Sequence, residues 1–99
     1  MKRHIQIKDS AIADLDFLYR QGVERWGRGQ ARAYLEAMDS LFDLLAEQPE
    51  IARERREFNP PVHVHPFRSH VVIFTANDLV LDVIRVVHGK SNWTNLVSD

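Results

Sequence analysis

Residues 71–87 read VVIFTANDLVLDVIRVV. Two apolar runs, 71–75 and 79–87, are rich in Val and Ile, whose branched side chains suit a pleated surface. Ala76, Asn77 and Asp78 separate them, a hairpin-length break, so the two runs pair antiparallel. The second run is apolar on both faces, which predicts a strand inside a sheet. Just upstream, residues 62–68 (VHVHPFR) alternate apolar and polar and predict a third strand, with Pro66 suited only to an edge or a bulge.

Working outward to the N-terminus, residues 4–8 (HIQIK) alternate as a short half-buried strand. Asp9 or Ser10 is positioned to cap a helix over residues 11–26, whose apolar side is Ile12, Leu15, Leu18, Tyr19, Val23 and Trp26. Gly27 and Gly29 break it around Arg28. A second helix is predicted over residues 30–48, with the stripe Tyr34, Leu35, Met38, Leu41, Phe42 and Leu45, closed by Pro49. Two long amphipathic helices with so short a break pack as an antiparallel hairpin. Residues 50–61 lose periodicity and read as a connector with one further helical turn. The order strand, helix, helix, strand, strand, strand predicts an α+β fold of two layers: an antiparallel sheet covered on one face by a helical hairpin.

The chain has 99 residues, so one domain spanning residues 1–99 is expected. No apolar run is long enough to cross a membrane, and the start MKRHIQIKDS lacks the apolar core of a signal peptide. With no cysteine, thiol catalysis and Cys-ligated zinc are excluded, and a cytoplasmic location is expected. Net charge is −1, and from Pro60 onward three cations (Arg68, Arg85, Lys90) face three acids (Asp78, Asp82, Asp99). A protein that grips nucleic acid through its phosphates is strongly basic, so strong direct nucleic-acid binding is not expected.

Several groups carry possible chemistry. His63 and His65 share one face of a strand and can ligate a metal, but no third residue has matching spacing. They read as surface histidines on an edge strand, and no metal or cofactor is expected. Glu50, Glu54 and Glu57 lie among Arg53, Arg55 and Arg56 as a solvated, salt-bridged turn. Arg85 interrupts an apolar strand, so it must find an acid or reach solvent. Asp82 is near in sequence but on the opposite face. Arg68 and His88 both fall at strand ends. Brought to one edge, Arg68, Arg85 and His88 would suit phosphoryl chemistry on RNA, with His as acid or base and Arg as charge clamp, or a carboxylate-bearing protein partner. Trp93 either folds back to cap the sheet or stands out as an anchor for a partner.

Several stretches match one another's expected order: YRQGVERWGRGQARAYLEAMDSLFDLLAEQPEIARERREF, then VHVHPFRSHVVIF, then RVVHGKSNW. In these, from about Ile5 to Trp93, the chain resembles the RelE/ParE superfamily of bacterial toxins, and its ParE branch in particular. The resemblance implies the same strand–helix–helix–three-strand fold. It implies the toxin of a type II toxin–antitoxin pair that causes growth arrest by stalling DNA gyrase and is neutralised by a ParD-like antitoxin, acting by binding and not as an enzyme. On this reading Arg85, His88, Lys90 and Trp93 contact the target, and Tyr19 and Tyr34 contact the antitoxin. Two alternatives remain open: a RelE-like ribosome-dependent mRNA endonuclease using Arg68, Arg85 and His88, and an inactive homologue that only binds its antitoxin. The chain departs from the branch after its last strand, where His88-Gly89-Lys90-Ser91-Asn92 replaces an expected His-Gly-Arg; Lys keeps the charge and loses the guanidinium fork. The Ala76-Asn77-Asp78 turn is also short for the branch.

Overall fold

A computed structural model of the protein describes residues 2–97; residues 1, 98 and 99 of the expected domain lie outside that range. The chain begins with β1 (His4–Ile7), followed by α1 (Asp9–Trp26) and α2 (Arg28–Glu47). A single 3-10 turn (Pro49–Ile51) supplies the extra helical turn expected of the connector. Then come β2 (Arg53–Arg55), β3 (Val62–Phe67), β4 (His70–Ala76), β5 (Val80–His88) and a short α3 (Thr94–Val97). Among the described residues no helix is long and apolar enough to cross a membrane.

The sheet has five strands in the order β1-β5-β4-β3-β2. Its last three strands are antiparallel as expected, and β5 lies inside. One expectation needs correction: β1 joins β5 in parallel, with Ile5 opposite Leu81, so the sheet is mixed. The helical hairpin returns the chain to the end of the sheet where β1 begins, the Ala46 carbonyl accepting the Arg3 amide at 3.1 Å. The connector then carries the chain back, so β2 runs opposite to β1, and three antiparallel pairings leave β5 running the same way as β1. The strand β2 was hidden from a hydrophobic reading because Arg53, Glu54 and Arg55 are charged. It pairs only with residues 62–64 of β3, so Pro66 lies past its end, on an open edge.

The helices meet closely. Only Gly27 separates them, at φ 89° and ψ 167°, a region essentially restricted to glycine. The expected longer break is thus one residue, and Gly29 is helical. A Cβ on Gly22 would come within 3.2 Å of Ala31 Cβ, so two small residues set the approach of α1 to α2. The buried positions of α1 are Ala11 and Gly22, with Leu15 and Leu18 partly buried against the core, and Ile12 and Trp26, read as core, are more than half exposed. Of the stripe read for α2, Met38, Leu41, Phe42 and Leu45 are buried against Val72 and Phe74 of β4 and Leu81, Val83 and Val86 of β5, while Tyr34 and Leu35 are only partly buried.

The other face of the sheet is not bare. Val62, Ile73 and Val87 are buried there beneath Phe58 of the β2–β3 loop and Trp93 of the tail. The two-layer expectation is therefore extended by a thin cover of loop and C-terminal chain. That cover explains why β4 and β5 are apolar on both faces.

One irregularity fixes the rest. Phe74 pairs with Val83 and Ile73 with Arg85, which leaves Ile84 as the extra residue of a β-bulge in β5. Groups on α1 close it. Ser10 Oγ donates to the Ile84 carbonyl at 3.1 Å, and Asp14 Oδ2 accepts the Val86 amide at 2.9 Å. Neither Asp9 nor Ser10 caps the helix, contrary to the sequence reading, because the Ser10 hydroxyl is taken by the bulge.

Candidate functional site

The bulge decides which residues meet. Continued without it from Ala76 opposite Leu81, the ladder would set His70 opposite Val87. With it, His70 stands opposite His88. The two imidazoles lie 5.5 Å apart between centroids, edge to face. The β3–β4 connection is a two-residue turn, since Phe67 pairs with His70. Its first residue, Arg68, has φ 54°, an uncommon conformation for a residue with a side chain. The Arg68 guanidinium sits 5.1 Å from the ring centres of both Tyr34 and Phe67. Those two rings pack edge to face at 5.3 Å.

Tyr34 links the layers. Its hydroxyl lies 2.7 Å from His70 Nδ1. Burial, and then the neighbouring His88, push the His70 imidazole below its ordinary pKa, while burial pushes the Tyr34 phenol up against the opposing pull of Arg68. Both side chains are thus neutral at pH near 7 and share one hydrogen bond. His88 is exposed, and its Nδ1 accepts the Lys90 amide at 3.1 Å. Together these residues wall a groove of about 500 Å³ between the base of the helical hairpin and the β3–β4 turn. Arg25 and Trp26 form its opposite rim, and Leu18, Gly22 and Ala31 its floor.

The depressed His70 pKa predicts a pH dependence. Folded protein binds fewer protons at His70 than unfolded protein does, so its contribution to stability rises with pH. It is fully present above about pH 6.5 and is lost as pH falls below that value, until the folded pKa is passed. Thermal melts at a series of pH values should show lower stability in acid, with a shallower slope for His70→Gln. An unchanged slope in that variant would assign the effect elsewhere.

The sequence-derived candidates fall into separate places. Arg68 and His88 do share one groove. Arg85 does not join them: Nε and an Nη nitrogen grip Asp14 at 2.7 and 2.9 Å, and this hydrogen bonding raises its pKa further. Its acid partner comes from α1, a pairing that spacing along β5 could not reveal. Lys90 is exposed in the turn after β5, where the Ser91 amide donates to the His88 carbonyl at 3.0 Å. Trp93 folds back onto the outer face, 6.1 Å from Phe58, with the Arg55 guanidinium 5.4 Å from its ring centre. Tyr34 and Tyr19 line different grooves; Tyr19 faces outward with Arg32, Leu35 and Glu36.

His63 and His65 share the helix-facing side but are not the surface histidines expected. Both are partly buried; His63 stacks on Phe74 at 5.1 Å, and its Nδ1 lies 3.0 Å from the Ala52 carbonyl oxygen. Among the described residues no three His, Asp or Glu side chains converge as metal ligands would. The acidic connector is salt-bridged as read, Glu54 to Arg56 at 2.8 Å and Glu57 to Arg55 at 2.6 Å. Sequence reasoning passed over His70 and Trp26. The sequence reading ended one strand at 68 and began the next at 71, leaving His70 in the turn; its pairing with Phe67 and its place beside His88 come from the register of the sheet and its bulge.

Comparison with known proteins gives consistent results. Residues 5–93 match the sequence profile of the family described as ParE toxin of type II toxin-antitoxin system, parDE. Toxin ParE1 of Mycobacterium tuberculosis is 28% identical over 91 residues, covering 91% of this chain and 93% of that one. Toxin ParE1 of Caulobacter vibrioides is 29% identical over 82 residues, covering 83% and 84%. A solved structure titled as a chromosomal ParDE system from P. aeruginosa superposes with a TM-score of 0.74 at 17% identity, covering 88% of this chain and 96% of that chain, a likeness of fold.

Proposed function

This chain belongs to the ParE toxin family of type II toxin–antitoxin systems, and we propose that it arrests growth by binding and stalling DNA gyrase until a ParD-like antitoxin covers it. The observation that carries this reading is the family match over residues 5–93, which runs from the second residue of β1 through the rest of the sheet to Trp93. The chain acts in the cytoplasm, where both partners are found, and by occupancy, with no cofactor and no turnover.

The target-facing surface is the end of β5 and the turn beyond it. His88 and Lys90 are exposed there and supply the contacts. Arg85 and Trp93 act behind them: Arg85 holds β5 to α1 through Asp14, and Trp93 anchors the tail on the outer face. The antitoxin covers the helical hairpin, reaching Tyr19 on one side and Tyr34 on the other. The endonuclease alternative is weakened by one observation. It called on Arg85 as a charge clamp, and that guanidinium is already occupied by Asp14.

Induced expression tests the reading. Growth should stop on induction and resume when the cognate antitoxin is co-expressed. Normal growth with folded, abundant protein would remove the toxin activity and leave an inactive homologue.

A further inference from the structure

His70 and His88 are distant in sequence and directly opposite in the sheet. Opposed residues on antiparallel strands share a face and bring their Cβ atoms within about 5 Å. The two ring centres are 5.5 Å apart, with 68° between the planes. Two imidazoles on one tetrahedral zinc, each bonded through a nitrogen at about 2.1 Å, hold their ring centres roughly 5 Å apart. The pair thus stands a small side-chain rotation from the spacing that one metal ion imposes. Three features hold it there. The bulge at Ile84 creates the register. The Gly89 amide donates to the Ser69 carbonyl at 2.8 Å and pins the end of β5 beside the β3–β4 turn. The Tyr34 hydroxyl, 2.7 Å from His70 Nδ1, fixes that ring and leaves its Nε2 for a ligand. We propose that His70 and His88 form a two-imidazole site for a divalent transition-metal ion, zinc or nickel, with water completing the shell and the Lys90 amide released when the ion binds.

The donor set selects the ion. Imidazole nitrogen suits zinc and nickel, whereas magnesium and calcium take oxygen. Ligation through His70 Nε2 places the proton on Nδ1, and the Tyr34 oxygen then accepts it, the usual support behind a metal-bound histidine. Among the described residues no carboxylate lines the groove, and Arg25 and Arg68 stand on its walls. They oppose a dication, so the site binds reversibly and more weakly than a closed site of four protein ligands. Binding reaches the turn after β5. In the metal-free chain His88 Nδ1 accepts the Lys90 amide. A metal on Nδ1 takes that lone pair, and a metal on Nε2 leaves Nδ1 protonated. By either route the Lys90 amide loses its acceptor. That this turn faces a target rests on the toxin reading; the metal site does not.

The test is a zinc titration of the purified full chain, free of any affinity tag, at about pH 7.5, where imidazole is largely neutral. Calorimetry should give one zinc per chain. In NMR the His70 and His88 ring signals and the Lys90 amide should shift together, and magnesium should move none of them. His88→Gln should weaken zinc by at least about tenfold, since even a hydrogen-bond partner behind a ligand is worth that much. His88 is exposed, so the fold survives the change. Tyr34→Phe keeps both rings and should also cost about tenfold. His4→Gln, at an exposed position on β1, should leave the affinity unchanged.

Equal zinc affinity in His88→Gln, or shifts centred on His63 and His65, would overturn the site. So would one zinc per two chains with a doubled mass in solution, which would assign the ion to the exposed His88 rings of two copies. Shifted rings beside an unmoved Lys90 amide would overturn the coupling to the turn. These readouts use neither growth arrest nor gyrase, so failure of the site and failure of the toxin reading are told apart.

Discussion

Asp14→Ala should destabilise the protein by about 2–3 kcal/mol, lowering the melting temperature by about 10–20 °C for a domain of this size. The carboxylate holds three groups on β5: two guanidinium nitrogens of Arg85 and the amide of Val86. Truncating one partner of a buried ion pair costs about 3–5 kcal/mol. The Arg85 side chain keeps 26% of its surface exposed, so water compensates part of that loss, and the lower figure applies. The Val86 amide is left without its acceptor in the same step. The effect should also reach the site. Asp14 closes the bulge that sets His70 opposite His88, so the NMR ring signals of both residues should shift in the variant. Combining Asp14→Ala with Arg85→Ala should cost less than the sum of the two, because the stranded charge is then absent. Additive costs, or a loss below about 1 kcal/mol for Asp14→Ala, would mean that the pair is not the link between α1 and β5.

Phe74→Ala should cost about 3–5 kcal/mol, which is a large part of the stability of an ordinary small domain. Phe74 is fully buried on β4, between the helices and the next strand. It packs among Met38, Leu45, Leu81 and Val83 and carries the stacked ring of His63. No neighbour is free to collapse into the space, since β4 is hydrogen-bonded on both edges. Urea or thermal unfolding measures the loss. A cost under about 1.5 kcal/mol would show that the helices relax onto the sheet and that the core is softer than its packing implies.

These two residues also show what the sequence discloses. Phe74 was legible: it lies in an apolar run of β-branched and aromatic residues, and period-two alternation places it on a buried face. The same reasoning gave the order of the main elements, the hairpin of helices and the inner place of β5. Asp14 was not legible. An acid on a helix reads as a solvent-facing residue until the helix is laid across a bulge, and a bulge leaves no mark in hydrophobic periodicity. The parallel pairing of β1 escaped for a related reason. It depends on how many times the chain reverses, and the charged β2 hid one of those reversals. Within the site, Arg68 and His88 were found as strand-end groups, and Tyr34 as a helix residue facing a partner. That they share one groove with His70, while Arg85 is excluded from it, follows from the register shift at Ile84.

The central claim is gyrase poisoning, and one reaction tests it directly. Purified chain is mixed with DNA gyrase, relaxed plasmid and ATP, and the products are examined for supercoiling and for DNA covalently linked to gyrase. The account predicts that supercoiling is lost, that cleaved complexes accumulate, and that prior addition of the antitoxin abolishes both. Full supercoiling with folded toxin present would contradict it, and the Lys90 departure after β5 would then be the first place to look.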